Sequence, residues 1–522
     1  MPAPADGQST PASELYRTAL SALAAGDPVA TGAAALWAAG AEGDGLYLLG
    51  LARSAAGDDA AAVPLLEGAL ALLPERADIA YNLGIMCRDL GRGADATVLW
   101  RRVLAADPAH GDAWASLAGA AEDEGRPDAA LALYREALAH LPTDRNLLYN
   151  CADLYHRGGA LEPADRLYER VLAVDPGFAA AWLNRGMVLK RLGRLDAAER
   201  CHRRAAALAD SAGSAALARF NLANLLLLRG RWEEGFAAYE SRLLLPEAPK
   251  PDFGLPRWTP DSPPGALLLW CDQGYGDTIQ FLRYAPLLAA RGQKVRVYLR
   301  APLRSLAAGA PGVEAAFALS GDPPAAATQL PICSLVAALG LIDPGSWPGP
   351  YLSAPPARNL PRVPGQPYRV ALVWAGNPAH LNDAHRSLRL ADFAPLLARP
   401  DIEWCSLQTG PRAGDLAAAD PSGTIRDLAP RLQDFAATAA VLGVCDLLIA
   451  VDTAIVHLAG ALGFPAWVLL PAIETDWRWG VEGETSLWYP SLRLFRQQSP
   501  GDWAPVMARI LAALAREFPC GV

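Results

Sequence analysis

The chain has 522 residues, 52% of them apolar and 19% charged, and a net charge of −9. That length exceeds a single core and predicts two or three domains of ordinary globular composition. An acidic chain without a Lys/Arg run has no electrostatic means of gripping nucleic acid or an anionic membrane.

From the N-terminus, Met1–Ser13 is Pro/Ala-rich without a basic-then-apolar pattern, so no signal peptide is expected. The cysteines, Cys87, Cys151, Cys201, Cys271, Cys333, Cys405, Cys445 and Cys520, form no Cys-x-x-Cys pair. They read as reduced, small apolar residues of a reducing, cytoplasmic compartment. A strict repeat follows. Pro74, Pro108, Pro142 and Pro176 are spaced by 34 residues, and so are Gly91, Gly125, Gly159 and Gly193, and Ala96, Ala130, Ala164 and Ala198. This period, with a small residue in each helix and a Pro at each exit, is the tetratricopeptide signature. A degenerate unit precedes it near Leu46–Leu73. Another follows at Phe220–Trp232, where Gly230 lies four periods plus three residues beyond Gly91. The prediction is an all-α tetratricopeptide solenoid over residues 11–243, whose stacked units leave a groove for a partner. Asn82, Asn150, Asn184 and, after the offset, Asn221 share one position on the first helix of each unit, with Ser116 in the remaining slot. These amides either pair with the backbone of an extended polypeptide in that groove or satisfy neighbouring helices.

Residues 244–265 are Pro-rich and read as a semi-rigid linker. The texture then changes to strand–turn–helix–strand, which implies a parallel α/β sheet. Ala266–Trp270 is a strand, Asp272–Asp277 a Gly-rich turn, Thr278–Ala290 a helix and Lys294–Leu299 a strand. After a second Pro-rich stretch the alternation restarts: strands at Arg369–Ala375, Ile402–Leu407, Leu447–Val451 and Ala466–Leu470, helices at Leu388–Leu397, Leu432–Leu442 and Thr453–Leu462. Two doubly wound halves, 266–355 and 356–522, with a cleft between them are expected. The longest apolar stretch, Ala454–Ile473, is broken by His457, Gly460, Gly463 and Pro465, so it reads as a helix and a buried strand and not as a membrane span.

Ligands of such sheets bind beyond the carboxyl ends of the strands, and three polar clusters fall there. In Gln273–Asp277, Asp277 is either a helix cap or a base facing the cleft. In Gly376–Ser387, Arg386 is suited to phosphate and Ser387 to capping; His380, Asp383 and His385 match no standard metal spacing and read as a polar loop. In Asp452–His457, a helix start offers free N–H groups to a diphosphate, and His457 is alternatively a core residue. No Asp-x-Asp pair is present to hold a metal–diphosphate ion.

These residues carry a resemblance. Residues 254–518 resemble the heptosyltransferase-like glycosyltransferases in their tetratricopeptide-fused form. The matching stretches are Leu255–Trp258, Gln273–Phe281 with Arg283-Tyr284, Gly376-Asn377-Pro378 through Arg386-Ser387, Val451–Ala454 with His457–Gly460, Asp476–Trp479 and Trp488–Gln497. The repeat half is similar to that of repeat-fused flagellin glycosyltransferases and protein O-GlcNAc transferases. The resemblance implies a GT-B region of two Rossmann-like lobes, acceptor side first and nucleotide-sugar side second. It also implies inversion at the anomeric carbon without a metal or cofactor, the nucleotide-sugar being substrate. Asp277 takes the position of the catalytic base. Asp452, Thr453 and Ala454 take that of the donor-phosphate turn, with Ala454 where the family carries Gly. Arg386 stands in the loop of the family's phosphate-binding lysine. Gly376, Asn377, Ser387, His457 and Gln408 complete the expected donor side. The expected activity is transfer of a sugar to Ser/Thr hydroxyls of a protein, flagellin-like, held by Asn82, Asn150, Asn184 and Asn221. Two alternatives stay open: a lipopolysaccharide or other glycan acceptor, and a non-catalytic repeat scaffold.

Overall fold

The computed structural model describes residues 30–341, 343–344, 349–357, 367–380, 382–420 and 423–519. The expectations for Met1–Ser13, for the start of the solenoid at residue 11 and for Cys520 lie outside the described residues, as do Leu381, Pro348, Pro361 and Pro364.

Helix α1 (Ala30–Ala38) precedes a run of helix pairs, α2 (Glu42–Ala55) with α3 (Asp59–Leu72), α4 (Ala77–Asp89) with α5 (Gly93–Ala106), α6 (Gly111–Asp123) with α7 (Pro127–His140) and α8 (Arg145–Arg157) with α9 (Leu161–Val174); α10 (Ala179–Arg191) and α11 (Leu195–Leu208) follow in the chain, and then α12 (Ala212–Leu228) pairs with α13 (Trp232–Tyr239). The periodic glycines make the turn inside each pair. Gly91, Gly125, Gly159 and Gly193 have φ of 69–78°, and a Cβ on any of them would meet nothing within 4 Å. Backbone conformation, not room, therefore selects glycine, and a side chain there costs about 1–2 kcal/mol. The periodic alanines are fully buried. Four residues after each comes a large core residue, in order Trp100, Tyr134, Tyr168 and His202, all buried. The facing first helix stays small: a Cβ on Gly84 would stand 2.5 Å from Trp100 Nε1.

The chain divides into two compact units, Met1–Val188 and Leu189–Val522. In the second unit, α11–α13 accompany two parallel sheets. The first has strand order β3-β2-β1-β4, with β1 (Ala266–Trp270), β2 (Lys294–Leu299), β3 (Val313–Ala318) and β4 (Thr328–Pro331). The second has the order β10-β9-β8-β5-β6-β7, with β5 (Tyr368–Val373), β6 (Ile402–Ser406), β7 (Arg426–Asp427), β8 (Leu447–Val451), β9 (Ala466–Leu470) and β10 (Leu492–Arg496). Every residue of β8 and β9 is buried, as expected of central parallel strands covered on both faces. The fold class is thus the expected helical solenoid followed by an α/β region. The apolar stretch at 454–473 resolves into helix Ala454–Leu462 and β9, and no helix among the described residues is long and apolar enough to cross a membrane.

Strands β3, β4, β7 and β10 and the closing helix Ala504–Glu517 were not anticipated. The segment before β1 is held by Trp258, 1% exposed, whose backbone N–H donates to the backbone oxygen of Gln329 in β4 at 2.8 Å. In both sheets the strand order reverses beside the first strand: β1 lies between β2 and β4, and β5 between β6 and β8. Loops leaving these strands therefore open the crevices where ligands of such sheets bind.

Candidate active site

A cavity of about 660 Å³ opens at the carboxyl ends of both sheets. Its lining comes from α14 (Tyr275–Phe281) after β1 and from the loops after β5, β6, β8 and β9, with α15 (Phe435–Leu442) and α16 (Ala454–Leu462). Of the residues expected on the catalytic and donor sides, Asp277, Gly376, Asn377, Arg386, Gln408, Asp452, Thr453, Ala454 and His457 line it. The size falls within the ~300–1,000 Å³ of ordinary small-molecule sites.

Asp277 sits in the first turn of α14, and its Oδ2 accepts from Gly274 N at 2.9 Å. Its Oδ1 accepts from Arg478. Capping and cleft-facing are therefore both true of this carboxylate, and each oxygen keeps a lone pair for a further partner. Gly276 permits this arrangement: a Cβ there would lie 2.5 Å from His457 Cδ2, so only glycine lets α14 and α16 meet.

The start of α16 has the features of an anion site. Thr453 is the N-cap, yet its hydroxyl caps nothing and is buried without a partner. Arg386 reaches over from the loop after β5, donating to Asp452 O at 3.0 Å, while its buried Nε–H makes no hydrogen bond and stands 3.6 Å from Asp383 Oδ1. A Cβ on Gly376 would stand 2.7 Å from the same guanidinium. Unused donors beside a helix start favour a bound phosphate. Among the described residues no group of three His, Cys, Asp or Glu side chains is placed to share a metal ion.

Asp452 and Asp476 face the same space. Burial, then the neighbouring Asp476 charge, raises the Asp452 carboxyl to about 6 against the pull of Arg386. Burial acts to raise Asp476 as well, but Arg478 outweighs it and holds that carboxyl below its usual range. Burial, and then Arg478, lowers His457 to about 3. The ring is thus neutral, with Nδ1 3.1 Å from Tyr489 Oη and the plane near Trp479.

Two expected donor contacts take other roles. Ser387 is not on the cavity wall; its hydroxyl accepts from Gly376 N at 2.9 Å and donates to Asp383 at 2.8 Å, shaping the loop. Gln408 reaches the wall, but its amide is bonded to the backbone of Trp374, Ala375 and Thr409, tying the ends of β5 and β6 together. Arg478, Asp476 and Tyr275 were given no role by the sequence reading. The signal for the first two was available: Asp476-Trp477-Arg478-Trp479 is a charged, aromatic run in the loop after a buried strand.

In the helix pairs, Asn82, Asn150, Asn184 and Asn221 are all partly exposed, as is Ser116. Two of the amides are already bonded. Asn82 Nδ2 donates to Tyr47 Oη at 2.6 Å and Asn184 Nδ2 to Tyr149 Oη at 2.9 Å, each reaching the first helix of the preceding pair.

Comparison with known proteins agrees with the helical half. The family description "Tetratricopeptide repeat" matches residues 47–100, 88–145, 121–182 and 167–200. Over 345 residues the chain is 30% identical to Protein FlbA of Caulobacter vibrioides, an alignment covering 58% of this chain and 55% of FlbA. This chain therefore spans about half the length of that relative. Among solved structures, the C-terminal part of a TPR repeat-containing protein from Cytophaga hutchinsonii overlies 46% of this chain and 95% of its own (13% identity, TM-score 0.38). A MamA fragment from Desulfovibrio magneticus RS-1 overlies 32% and 97% (18%, 0.29). YrrB, described as a TPR protein with an unusual peptide-binding site, overlies 33% and 88% (19%, 0.28).

Proposed function

We propose that the chain is an inverting, metal-independent glycosyltransferase that moves a sugar from a nucleotide-sugar to Ser/Thr hydroxyls of a protein acceptor. The observation that carries this reading is the meeting of the Asp277 carboxylate with the Thr453 helix start and Arg386 around one cavity. The donor phosphates lie on the N–H groups of α16, the Thr453 hydroxyl and the Arg386 guanidinium. Asp277 takes the proton of the acceptor hydroxyl as that oxygen bonds to the anomeric carbon from the face opposite the nucleotide. The bond from carbon to phosphate oxygen breaks, and the phosphate anion leaves onto the helix start and Arg386, which stabilise the charge as it forms. Asn377 and Gly376 border the donor, and His457, held neutral, packs beneath α14 without taking a proton.

The repeats supply the acceptor side. Stacked helix pairs of this kind present an extended binding surface, and the partly exposed asparagines offer amide groups to a peptide backbone, Asn82 and Asn184 with one donor already given to a tyrosine. A flagellin-like protein handled in the cytoplasm is the acceptor class that the family resemblance favours. The test is intact-mass measurement of purified flagellin incubated with the full chain and, in turn, a CMP-nonulosonic acid, a UDP-hexosamine and an ADP-heptose. A mass gain of one or more sugar residues with one donor is expected. Transfer only to a glycan acceptor, or no transfer with donors that bind, would overturn the protein-acceptor reading.

A further inference from the structure

Two buried connections run from α13 and the turn after it to the loops that hold Asp277, and the chemistry above uses neither. The first is aromatic. Trp232, Phe236 and Tyr239 of α13 pack on Trp477, with Phe236 5.5 Å away edge-to-face, and Trp488 closes the cluster 5.6 Å from Trp477. The Arg478 guanidinium lies over the Trp477 ring, 4.1 Å from its centre. From that platform it forks to Asp277, to Gln280 of α14 and to Asp476, the last at 3.1 Å. The second connection is ionic. Arg242, whose side chain is wholly buried, donates from Nε to Asp272 at 2.7 Å, and to Glu240 and Ser334 at 2.7 and 2.8 Å. Asp272 opens the turn that leads into α14, whose first turn carries Asp277, and its other oxygen accepts from Cys333 N at 3.2 Å.

Buried charge pairs add little stability compared with apolar residues of equal volume, and their best-attested use is to fix one geometry. Here both connections end on the same carboxylate-bearing turn. We infer that α13 and the Glu240–Leu244 turn are part of the catalytic apparatus, with Trp477 and Arg242 as positioning residues that set where the Asp277 carboxylate points. This rests on the reading of Asp277 as the base. The last helix pair is then no detachable adaptor. A ring lost from the Trp477 platform frees Arg478, and the carboxylate drifts from the acceptor hydroxyl while both substrates still bind.

The test uses the full chain with Trp477→Leu, Trp477→Phe and, from the other side of the contact, Phe236→Leu. Amide hydrogen exchange is read without any substrate, and turnover with whichever donor and acceptor the wild type accepts. In Trp477→Leu, exchange over Gly274–Phe281 should rise about tenfold or more while the β8 and β9 amides stay protected. Its kcat should fall about a hundredfold, the scale of a misplacement near 1 Å, with KM for both substrates within about threefold. Trp477→Phe keeps an aromatic platform and should restore both readouts; Phe236→Leu should show the same pattern more weakly. Unchanged exchange at Gly274–Phe281, a rise spread evenly over the α/β region, or equal kcat for the Leu and Phe variants would overturn the inference. If the wild type turns over no nucleotide-sugar, the glycosyltransferase reading falls and the exchange pattern alone decides the positioning.

Discussion

The helix pairs and the α/β region treat charge in opposite ways. Among the described residues before Ser241, the buried polar side chains are Asp165 and His202; beyond it they include Arg242, Asp272, Gln280, Arg283, Arg369, Gln408, His457 and Arg478. In the pairs, ion pairs such as Arg157–Asp153 and Arg92–Asp95 stand at the surface, a third to over half exposed, and each is worth at most about 1 kcal/mol. In the α/β region, charges are taken out of water, Arg478 at the cavity wall among them, and breaking a buried pair costs about 3–5 kcal/mol. Costly polar burial at strand ends marks geometry that stability alone would not require. Substitutions in the α/β region should therefore strike turnover and donor affinity, and substitutions in the pairs should strike stability and partner capture.

The largest expected effect is at Asp277. Asp277→Asn keeps an oxygen for Gly274 N–H but cannot take a proton, so transfer should fall about 10³-fold, within the range for a lost general base. Nucleotide binding, measured by calorimetry, should stay within about twofold. Normal turnover would break the contrast at its centre. Arg386→Ala and Thr453→Val come next. Each removes a group that the proposed mechanism sets against the phosphates, and affinity for UDP, CMP or ADP, whichever binds the wild type, should drop about ten- to a hundredfold for the charged group. The hydroxyl should cost about tenfold or less. Unchanged affinity in both would move the phosphates away from the α16 helix start.

The same contrast explains what could be read in advance. A period of 34 residues announces the helix pairs because each structural requirement, such as the turn glycine at 91, 125, 159 and 193, is stated again in every unit. In the α/β region each requirement is stated once. Strands β1, β8 and β9 were legible because burial on both faces makes them apolar runs, and β2 because Lys294 and Arg296 alternate with the buried Val295 and Val297. The edge strand β7, with sequence Arg426-Asp427, carries no such run, and β4 is four residues ending in proline. The three polar turns were found because they follow legible strands. The roles of Arg478 and Trp477 were not, because they depend on partners about 200 residues earlier, Asp277 and Gln280, and on α13. Gln408 and Ser387 were read as donor contacts because sequence cannot say that backbone groups already occupy them.

A smaller effect sharpens the comparison from the side of the pairs. His202 occupies the position of Trp100, Tyr134 and Tyr168, and burial, then the charge of Lys190, lowers it to about 4. A histidine depressed in the folded state stabilises above its unfolded value of about 6.5 and loses that contribution as pH falls toward 4. At pH 5 the loss is about 2 kcal/mol. His202→Tyr restores the aromatic seen in neighbouring pairs and has no such acid limb. Its unfolding midpoint should therefore fall less than that of the wild type between pH 7 and pH 5. Parallel curves for the two proteins would show that His202 is not held neutral.

The smallest expected effect separates the two meanings of the repeated asparagine. Asn184 is tied to Tyr149 across the stack, so Asn184→Ala and Tyr149→Phe should lower stability alike, by about 1 kcal/mol, the net value of one hydrogen bond. At Asn150 the position that holds Tyr47 and Tyr149 in other pairs is Ala115, so the equivalent bond is not made. Asn150→Ala should then leave the unfolding curve within about 0.5 kcal/mol and weaken capture of the acceptor, read as a raised KM for the acceptor at constant KM for the donor. Loss of stability without loss of capture at Asn150 would make the whole row a structural ladder and move acceptor recognition to other residues of the repeats.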